Sequence, residues 1–246
     1  MKRAFQFVSI LILLVLILAL VEAQFHWMSR PFGGRPLAQR ELATQFLGQY
    51  LARTYPGNKA IILSNPFSRR PGQPAAVYDF ERAGVRGVQR GLGKAIAVEK
   101  VAFPELKPGA LENPHAFPIP PNSRTPLSYL VSDDSLDRIL QQSPDVEIVI
   151  SLIGLPANVR QTRAWTRTSR CRFGLLLPDL GVLGDQAAVL EAFRSGRITA
   201  VILNKPGAPS EDQPLGKDPK MEFEQRFLLV TPENVEQYLQ LFPRSF

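Results

Sequence analysis

The residue types that most often carry catalysis are scarce in this chain. It has two His and one Cys among 246 residues, so a thiol-rich zinc site, a CxxC redox pair and a disulfide framework all lack the residues they need. His26 and His115 lie in stretches broken by Pro and Gly, where no rigid element would hold them against a nucleophilic Ser. No GxSxG elbow and no GxxxxGK[ST] phosphate loop occurs. Asp133 and Asp134 are adjacent at the start of a helical pattern, where carboxylates complement the helix dipole. No catalytic residue, metal ligand or cofactor is expected.

What remains is a set of polar residues that each follow an apolar run. Ser64, Asn65, Ser68 and Arg69 come after KAIIL, Ser151 after VEIVI, Asp179 after RFGLLLP, and Asn204 with Lys205 after ITAVIL. Hydroxyl, amide and guanidinium groups at such places suit a small polar or anionic ligand. A second group is basic. Arg160, Arg163, Arg167 and Arg170 recur at helical spacing in RQTRAWTRTSRCR, with Trp165 among them and no acidic residue between. A helical face of this kind would meet phosphates or an anionic surface.

These residues need elements to position them. Apolar residues at 42, 46, 47, 50 and 51 mark a helix over 37–53, closed by Pro56 and Gly57. KAIILS at 59–64 is then a short apolar run bounded by turn residues, as a buried parallel strand should be. Helical spacing returns over 75–90, and 95–101 reads as a second strand. The alternation continues with a helix at 132–142, a strand at 146–153, a helix at 156–168 and a strand at 173–177. Asp185 caps a helix that stops at Gly196, followed by strands at 198–203 and 226–230 and a closing helix after Thr231 and Pro232. This order predicts an α/β fold of three layers, a mainly parallel sheet of about six strands with helices on both faces. If the sheet is parallel and open, its carboxyl edge gathers the polar residues named above.

Two segments break the pattern. Prolines crowd the region 102–126, and 204–225 is charged and without period; both read as long loops. Gly84, Gly87, Gly91 and Gly93 precede a strand instead of following one, which favours close helix packing over a dinucleotide fingerprint.

The strings KAIILSNPF, YDFERAGVRGVQRGLG, LDRILQQSPDVEIVISLIG, RFGLLLPD and AAVLEAFRSGRITAVILNKPG, in this order, resemble the C-terminal lobe of type 1 periplasmic binding proteins and LacI-like effector domains. The resemblance covers about residues 38–205 and implies a single lobe of the periplasmic-binding-protein or flavodoxin type. In that family two lobes clamp a small ligand, whereas the remaining chain here is too short for a second lobe. Asp179 matches a family position that often bonds a ligand hydroxyl. The family's binding Arg is offset here to Arg82, and Gly154 stands where an acid is expected.

Compartment is read from the start of the chain. Lys2 and Arg3 precede an uncharged run over 7–21, and Val21, Glu22 and Ala23 form a cleavage site before Gln24. Residues 1–23 therefore read as a signal peptide, with an uncleaved anchor as the alternative, 24–36 as a linker and 37–246 as one domain. The net charge of +7 would suggest nucleic acid inside a cell; for an exported chain, a membrane surface or envelope polymer is the available polyanion. The expectation is an exported, non-catalytic binding or scaffolding protein of the periplasm or cell envelope, for which no nucleic acid is expected. Two alternatives stay open: a hydrolase or transferase acting at the Asp179, Asn204 and Lys205 edge, and a membrane-anchored interaction protein of the envelope.

Overall fold

Strands form around short runs rich in aliphatic residues. A computed structural model describes residues 34–121 and 123–243. Its elements, in chain order, are α1 (Gly34–Thr54), β1 (Lys59–Leu63), α2 (Ala75–Leu92), β2 (Ala97–Ala102), α3 (Leu127–Leu130), α4 (Ser135–Gln141) and β3 (Ile148–Ser151). They continue as β4 (Arg172–Leu176), α5 (Gln186–Arg194), β5 (Ile198–Asn204), α6 (Pro219–Arg226), β6 (Phe227–Val230) and α7 (Val235–Leu241). The six strands make one sheet in the order β2-β1-β3-β4-β5-β6. β1 to β5 pair in parallel and β6 joins β5 antiparallel, so the sheet is mainly parallel, as its apolar runs predict.

Alternation within each strand divides the core. Ile61, Leu63, Val149, Phe173, Leu175, Val201 and Leu203 face one side, under Leu136 of α4, Phe193 of α5 and Val235 of α7. Ala60, Ile62, Ile148, Ile150, Leu176, Ala200 and Ile202 face the other, under Leu47 and Leu51 of α1, Val88 of α2 and Phe223 of α6. Helices thus cover both faces. Phe46 and Phe223 stack with ring centroids 4.2 Å apart, which ties α6 to α1.

The N-terminal expectations meet the structure only at their edge. The apolar run 7–21, the cleavage site at 23 and linker residues 24–33 lie outside the described residues. The rest of the linker does not hold: α1 begins at Gly34, and Pro36 sits in its first turn, where a missing N–H breaks no intrahelical bond. The loop expected over 204–225 also ends early. Asp218 accepts hydrogen bonds from the Lys220 and Met221 amides at 2.9 and 3.4 Å, and with Pro219 in the first position this cap starts α6. The proline-rich segment is irregular as expected, with one 3₁₀ turn at Pro114–Ala116 and one bridge between Leu106 and Val131.

The helix expected over 156–168 does not form. Two 3₁₀ turns, Val159–Gln161 and Arg163–Trp165, take its place. Thr162 Oγ1 donates to the Val159 carbonyl at 2.7 Å and Thr166 Oγ1 to that of Arg163 at 2.9 Å, so each hydroxyl closes one of the turns. These β-branched residues thereby offer the backbone alternatives to a helical ladder. Arg160, Arg163, Arg167 and Arg170 consequently do not share a helical face.

Close packing of α1 on α2 accounts for Gly87 and Gly91, whereas Gly93 ends α2 with φ of 54° and packs on nothing. A Cβ on Gly87 would lie 2.0 Å from Thr44 Oγ1 and 2.3 Å from the Glu41 carbonyl oxygen, and one on Gly91 would lie 2.2 Å from the Gln45 carbonyl oxygen. Backbone cannot retreat as a flexible side chain can. Gly87→Ala should therefore destabilise the fold by about 1–3 kcal/mol, although Ala is the better helix former by ~1 kcal/mol. Urea unfolding checks this against Gly34→Ala, whose new methyl meets nothing within 4 Å and should change little.

Candidate functional site

The strand order reverses between β1 and β3, and in an open parallel sheet the crevice outside such a reversal is the usual ligand position. Here the chain fills that crevice itself. Arg40 of α1 and Glu81 of α2 meet over the carboxyl ends of these strands, with side chains 8% and 9% exposed. Arg40 Nη2 donates to Glu81 Oε1 at 2.8 Å and to the Leu152 carbonyl at 3.4 Å. Glu81 Oε2 accepts from Ser64 Oγ at 2.7 Å and from the Asn65 amide at 3.2 Å. Burial pulls the Arg40 guanidinium below its usual pKa, and the Glu81 charge opposes that shift. Its Nε is buried without a partner, close to Gly84, where a Cβ would approach it to 2.9 Å.

Most residues expected to hold a ligand are committed to internal bonds. Asn65 Oδ1 accepts from the Phe67 amide at 2.9 Å and Ser68 Oγ donates to the Asn65 carbonyl at 2.6 Å, which together shape the turn after β1. Arg69 lies 5.1 Å over the Phe103 ring. Ser151 Oγ donates to the Gly154 carbonyl at 2.5 Å. Asp179 accepts from Ser123 Oγ at 2.9 Å, the Arg124 amide at 3.3 Å and the Gly181 amide at 3.0 Å. Its carboxylate thus fastens the proline-rich segment to the edge of the sheet.

Asn204 and Lys205 reach open space. A cleft of about 390 Å³ lies beyond the ends of β4 and β5, with Gln39, Arg40, Phe80, Leu177 and Arg226 among its walls. Leu176, Ala43 and Phe227 give it an apolar floor. Its outer wall is the segment 205–218, held by two buried side chains. Gln39 Nε2 donates to the Glu211 carbonyl at 3.0 Å; Arg226, 4% exposed, donates to the Ser210 carbonyl at 3.1 Å and the Gln213 carbonyl at 3.3 Å while pairing with Glu222 at 3.1 Å. Arg35 adds a bond to the Asp212 carbonyl. Lys205 Nζ donates to the Glu224 carbonyl at 2.7 Å, whereas the exposed Asn204 amide makes no hydrogen bond within the described residues.

Two further features mark this cleft. Leu177 has φ of 44°, a left-handed conformation that costs a branched residue on the order of 1–3 kcal/mol, and it lies at the end of β4 facing the cleft. Phe80 is 39% exposed and carries Arg40 4.1 Å above its ring. Gln39, Arg40, Phe80, Glu81 and Arg226 escape sequence reasoning aimed at strand ends. A signal for Glu81 was present, because it shares a helical face with Gly84 and Val88, where a charged residue is out of place unless paired.

No protein-family model matches the chain, and neither does any curated protein. Solved structures similar to it include an ABC transporter solute-binding protein from Burkholderia graminis in complex with D-arabinose, at 14% identity and a TM-score of 0.45 over 81% of this chain and 62% of that one. A carbohydrate transporter from Acidothermus cellulolyticus in complex with myo-inositol matches at 12% identity and 0.47, over 84% and 62%. A periplasmic solute-binding protein from Actinobacillus succinogenes with bound D-allose matches at 11% and 0.45, over 81% and 61%. The chain is similar in fold to part of each of these proteins. It spans about three fifths of their length, and the likeness is one of fold, from which no ligand or residue role follows.

The buried pair makes a direct prediction. Glu81→Ala leaves the Arg40 charge buried without its partner and should cost about 3–5 kcal/mol of stability, whereas the apolar double replacement Arg40→Met with Glu81→Leu should cost less than the single change. Urea unfolding of both variants checks this. A loss below about 1 kcal/mol in Glu81→Ala would mean that the ion pair does not hold the edge together.

Proposed function

We propose that this chain is an exported, non-catalytic binding protein whose ligand is a small polar molecule, neutral or singly anionic, held in the cleft beyond β4 and β5. The observation that carries the reading is the cleft itself. It joins an apolar floor and an exposed Phe80 ring to convergent polar groups at Asn204, Lys205, Gln39 and Arg40, the combination typical of small-molecule sites of about 300–1,000 Å³. Arg40 and Arg226 each have a carboxylate partner within hydrogen-bond distance, so the site has no large excess of positive charge and does not require a polyanion. Its donors are held by fixed partners, which suits recognition more than proton transfer. Polyhydroxylated compounds and their carboxylate derivatives fit this mixture: ring faces stack on Phe80, and hydroxyls meet the free Asn204 amide. The export part of the reading rests on Lys2, Arg3 and the uncharged run over 7–21.

Two measurements test the reading. Thermal unfolding of the secreted protein against a panel of sugars, polyols and sugar acids should identify a stabilising ligand, since a compound at 100 times its Kd adds about 2.7 kcal/mol. Asn204→Ala should then weaken that ligand by roughly 0.5–1.5 kcal/mol, the net value of one neutral hydrogen bond, without altering the unliganded melting temperature. Equal affinity in Asn204→Ala and Gln39→Ala would move the site elsewhere. Separately, N-terminal sequencing of protein from its native host should give a mature start at Gln24; an intact Met1 chain in the membrane fraction would overturn cleavage.

A further inference from the structure

The opposite edge of the sheet carries a different kind of site. A groove of about 490 Å³ runs between the end of α4 with residues 143–146 and the turn formed by residues 163–171. Arg163 and Arg170 line it together with Thr166, Thr168 and Ser169. Ser143 also lines it; the residue is 2% exposed and its Oγ has no hydrogen-bond partner. Two of the hydroxyls keep donor capacity, Ser143 Oγ without a partner and Ser169 Oγ, which accepts from the Cys171 amide at 3.1 Å; Thr166 Oγ1 gives its proton to the Arg163 carbonyl, so Thr168 Oγ1 donates to Thr166 Oγ1 at 3.3 Å.

Charge around this groove is unbalanced. Arg163, Arg167 and Arg170 are exposed, and Arg172 and Arg197 rest on the rings of Tyr55 and Trp165 at 5.2 and 5.7 Å. Among the described residues none of these five guanidinium groups has a carboxylate within 4.0 Å. Of the nearby acids, Asp145 pairs with Lys59 at 2.9 Å and Glu236 with Arg194 at 2.6 Å; Asp137 lines the groove itself, and its two oxygens accept the Arg163 backbone amide at 3.0 and 3.1 Å, a neutral donor that leaves one negative charge against the guanidinium groups. Glu147 stands just before β3, with its carbonyl accepting the Arg172 amide at 2.8 Å. Guanidinium forks beside hydroxyl donors are the chemistry that recognises phosphate and sulfate. Here the irregular turns bring that chemistry together, with the starts of β4 and β5 supplying Arg172 and Arg197.

We infer that this amino-edge groove binds a multivalent oxyanion, a phosphate- or sulfate-bearing group, independently of the cleft at the carboxyl edge. Arg163 and Arg170 grip the anion from the groove walls and the hydroxyl of Ser169 adds a hydrogen bond to it. Arg167, Arg172 and Arg197 supply the surrounding positive field that draws it in. Two sources could present such a group, a soluble phosphorylated compound or an anionic lipid headgroup.

The probe is tripolyphosphate, titrated calorimetrically at low ionic strength into the intact protein. Binding should be saturable and weaken as salt rises, and R163Q with R170Q should lower the affinity about tenfold or more. Both side chains are exposed and neither is hydrogen-bonded through its guanidinium, so the variant should melt at the wild-type temperature without ligand. Asn204→Ala should leave tripolyphosphate binding intact, which separates this site from the cleft. Sedimentation with vesicles rich in phosphatidic acid, whose phosphomonoester is multivalent, lost in the double variant, would assign the lipid headgroup as the source; tripolyphosphate binding with no vesicle retention would assign a soluble one. Absence of tripolyphosphate binding, binding unchanged in the double variant, or vesicle retention that survives the double variant would overturn the inference.

Discussion

The buried contact between Arg40 and Glu81 is the constraint on which the carboxyl edge depends. A guanidinium and a carboxylate removed from water must satisfy each other and their remaining hydrogen-bonding atoms, or the cost is several kcal/mol. Here the satisfaction is distributed over four elements: α1 supplies the cation, α2 the anion, the residues after β1 a hydroxyl and an amide, and the residue after β3 a carbonyl. The geometry depends on α1 and α2 approaching at backbone distance along Gly87 and Gly91, with Gly84 leaving room for the Arg40 side chain. A methyl group on that line would push the helices apart and draw the guanidinium away from its carboxylate. Sequence, helix packing and the closed crevice are thus one linked arrangement.

Filling the crevice at the strand-order reversal displaces the open space sideways. With Arg40 and Glu81 over β1 and β3, and with Asp179 engaged by Ser123 and the Arg124 amide beyond β4, the proline-rich segment is held against the edge. Open space remains beyond β4 and β5, where residues 205–211 form the outer wall, and beyond β2, where a groove of about 740 Å³ is lined by Arg69, Val101 and Phe103. The segment 205–218 has no regular structure of its own, so its carbonyls need partners from outside it. Gln39 and Arg226 provide them. A loop held by two buried side chains presents a defined wall, and a defined wall lowers the ordering cost of binding.

The sheet was legible because a strand covered on both faces has to be apolar through its interior, and β1, β3, β4 and β5 carry their charged residues only at their ends. Gly87 and Gly91 were legible for a similar reason, since backbone contact tolerates no other residue. Failure came where short-range hydrogen bonding competes with periodicity. Arg160, Arg163, Arg167 and Arg170 have helical spacing, yet Thr162 and Thr166 fold the chain into 3₁₀ turns instead. At the carboxyl edge, sequence position placed Ser64, Ser151 and Asp179 correctly at strand ends but could not reveal that each had an internal partner. A hydroxyl at a strand end is compatible with a ligand or with its own backbone, and only the distances separate the two.

Charge is handled differently at the two edges, and burial explains why. Arginines that help to form the cleft are enclosed, so each must have a carboxylate: Arg40 has Glu81 and Arg226 has Glu222. Arginines at the amino edge remain in contact with water or rest on aromatic rings, so solvation replaces the carboxylate. The thiol between them follows the same rule. Cys171 is buried, and its pKa is pushed up to about 12 by desolvation despite the neighbouring Arg172 charge, which makes it a packing residue and not a nucleophile. The net charge of +7 is therefore not spread evenly in its effect. Buried pairs cancel at short range and leave little field, whereas the exposed, unpaired guanidinium groups at the amino edge project theirs about 8–10 Å into solution at ordinary ionic strength. The cleft therefore presents nearly neutral, fixed dipoles, and the other end presents the basic character that the composition announces.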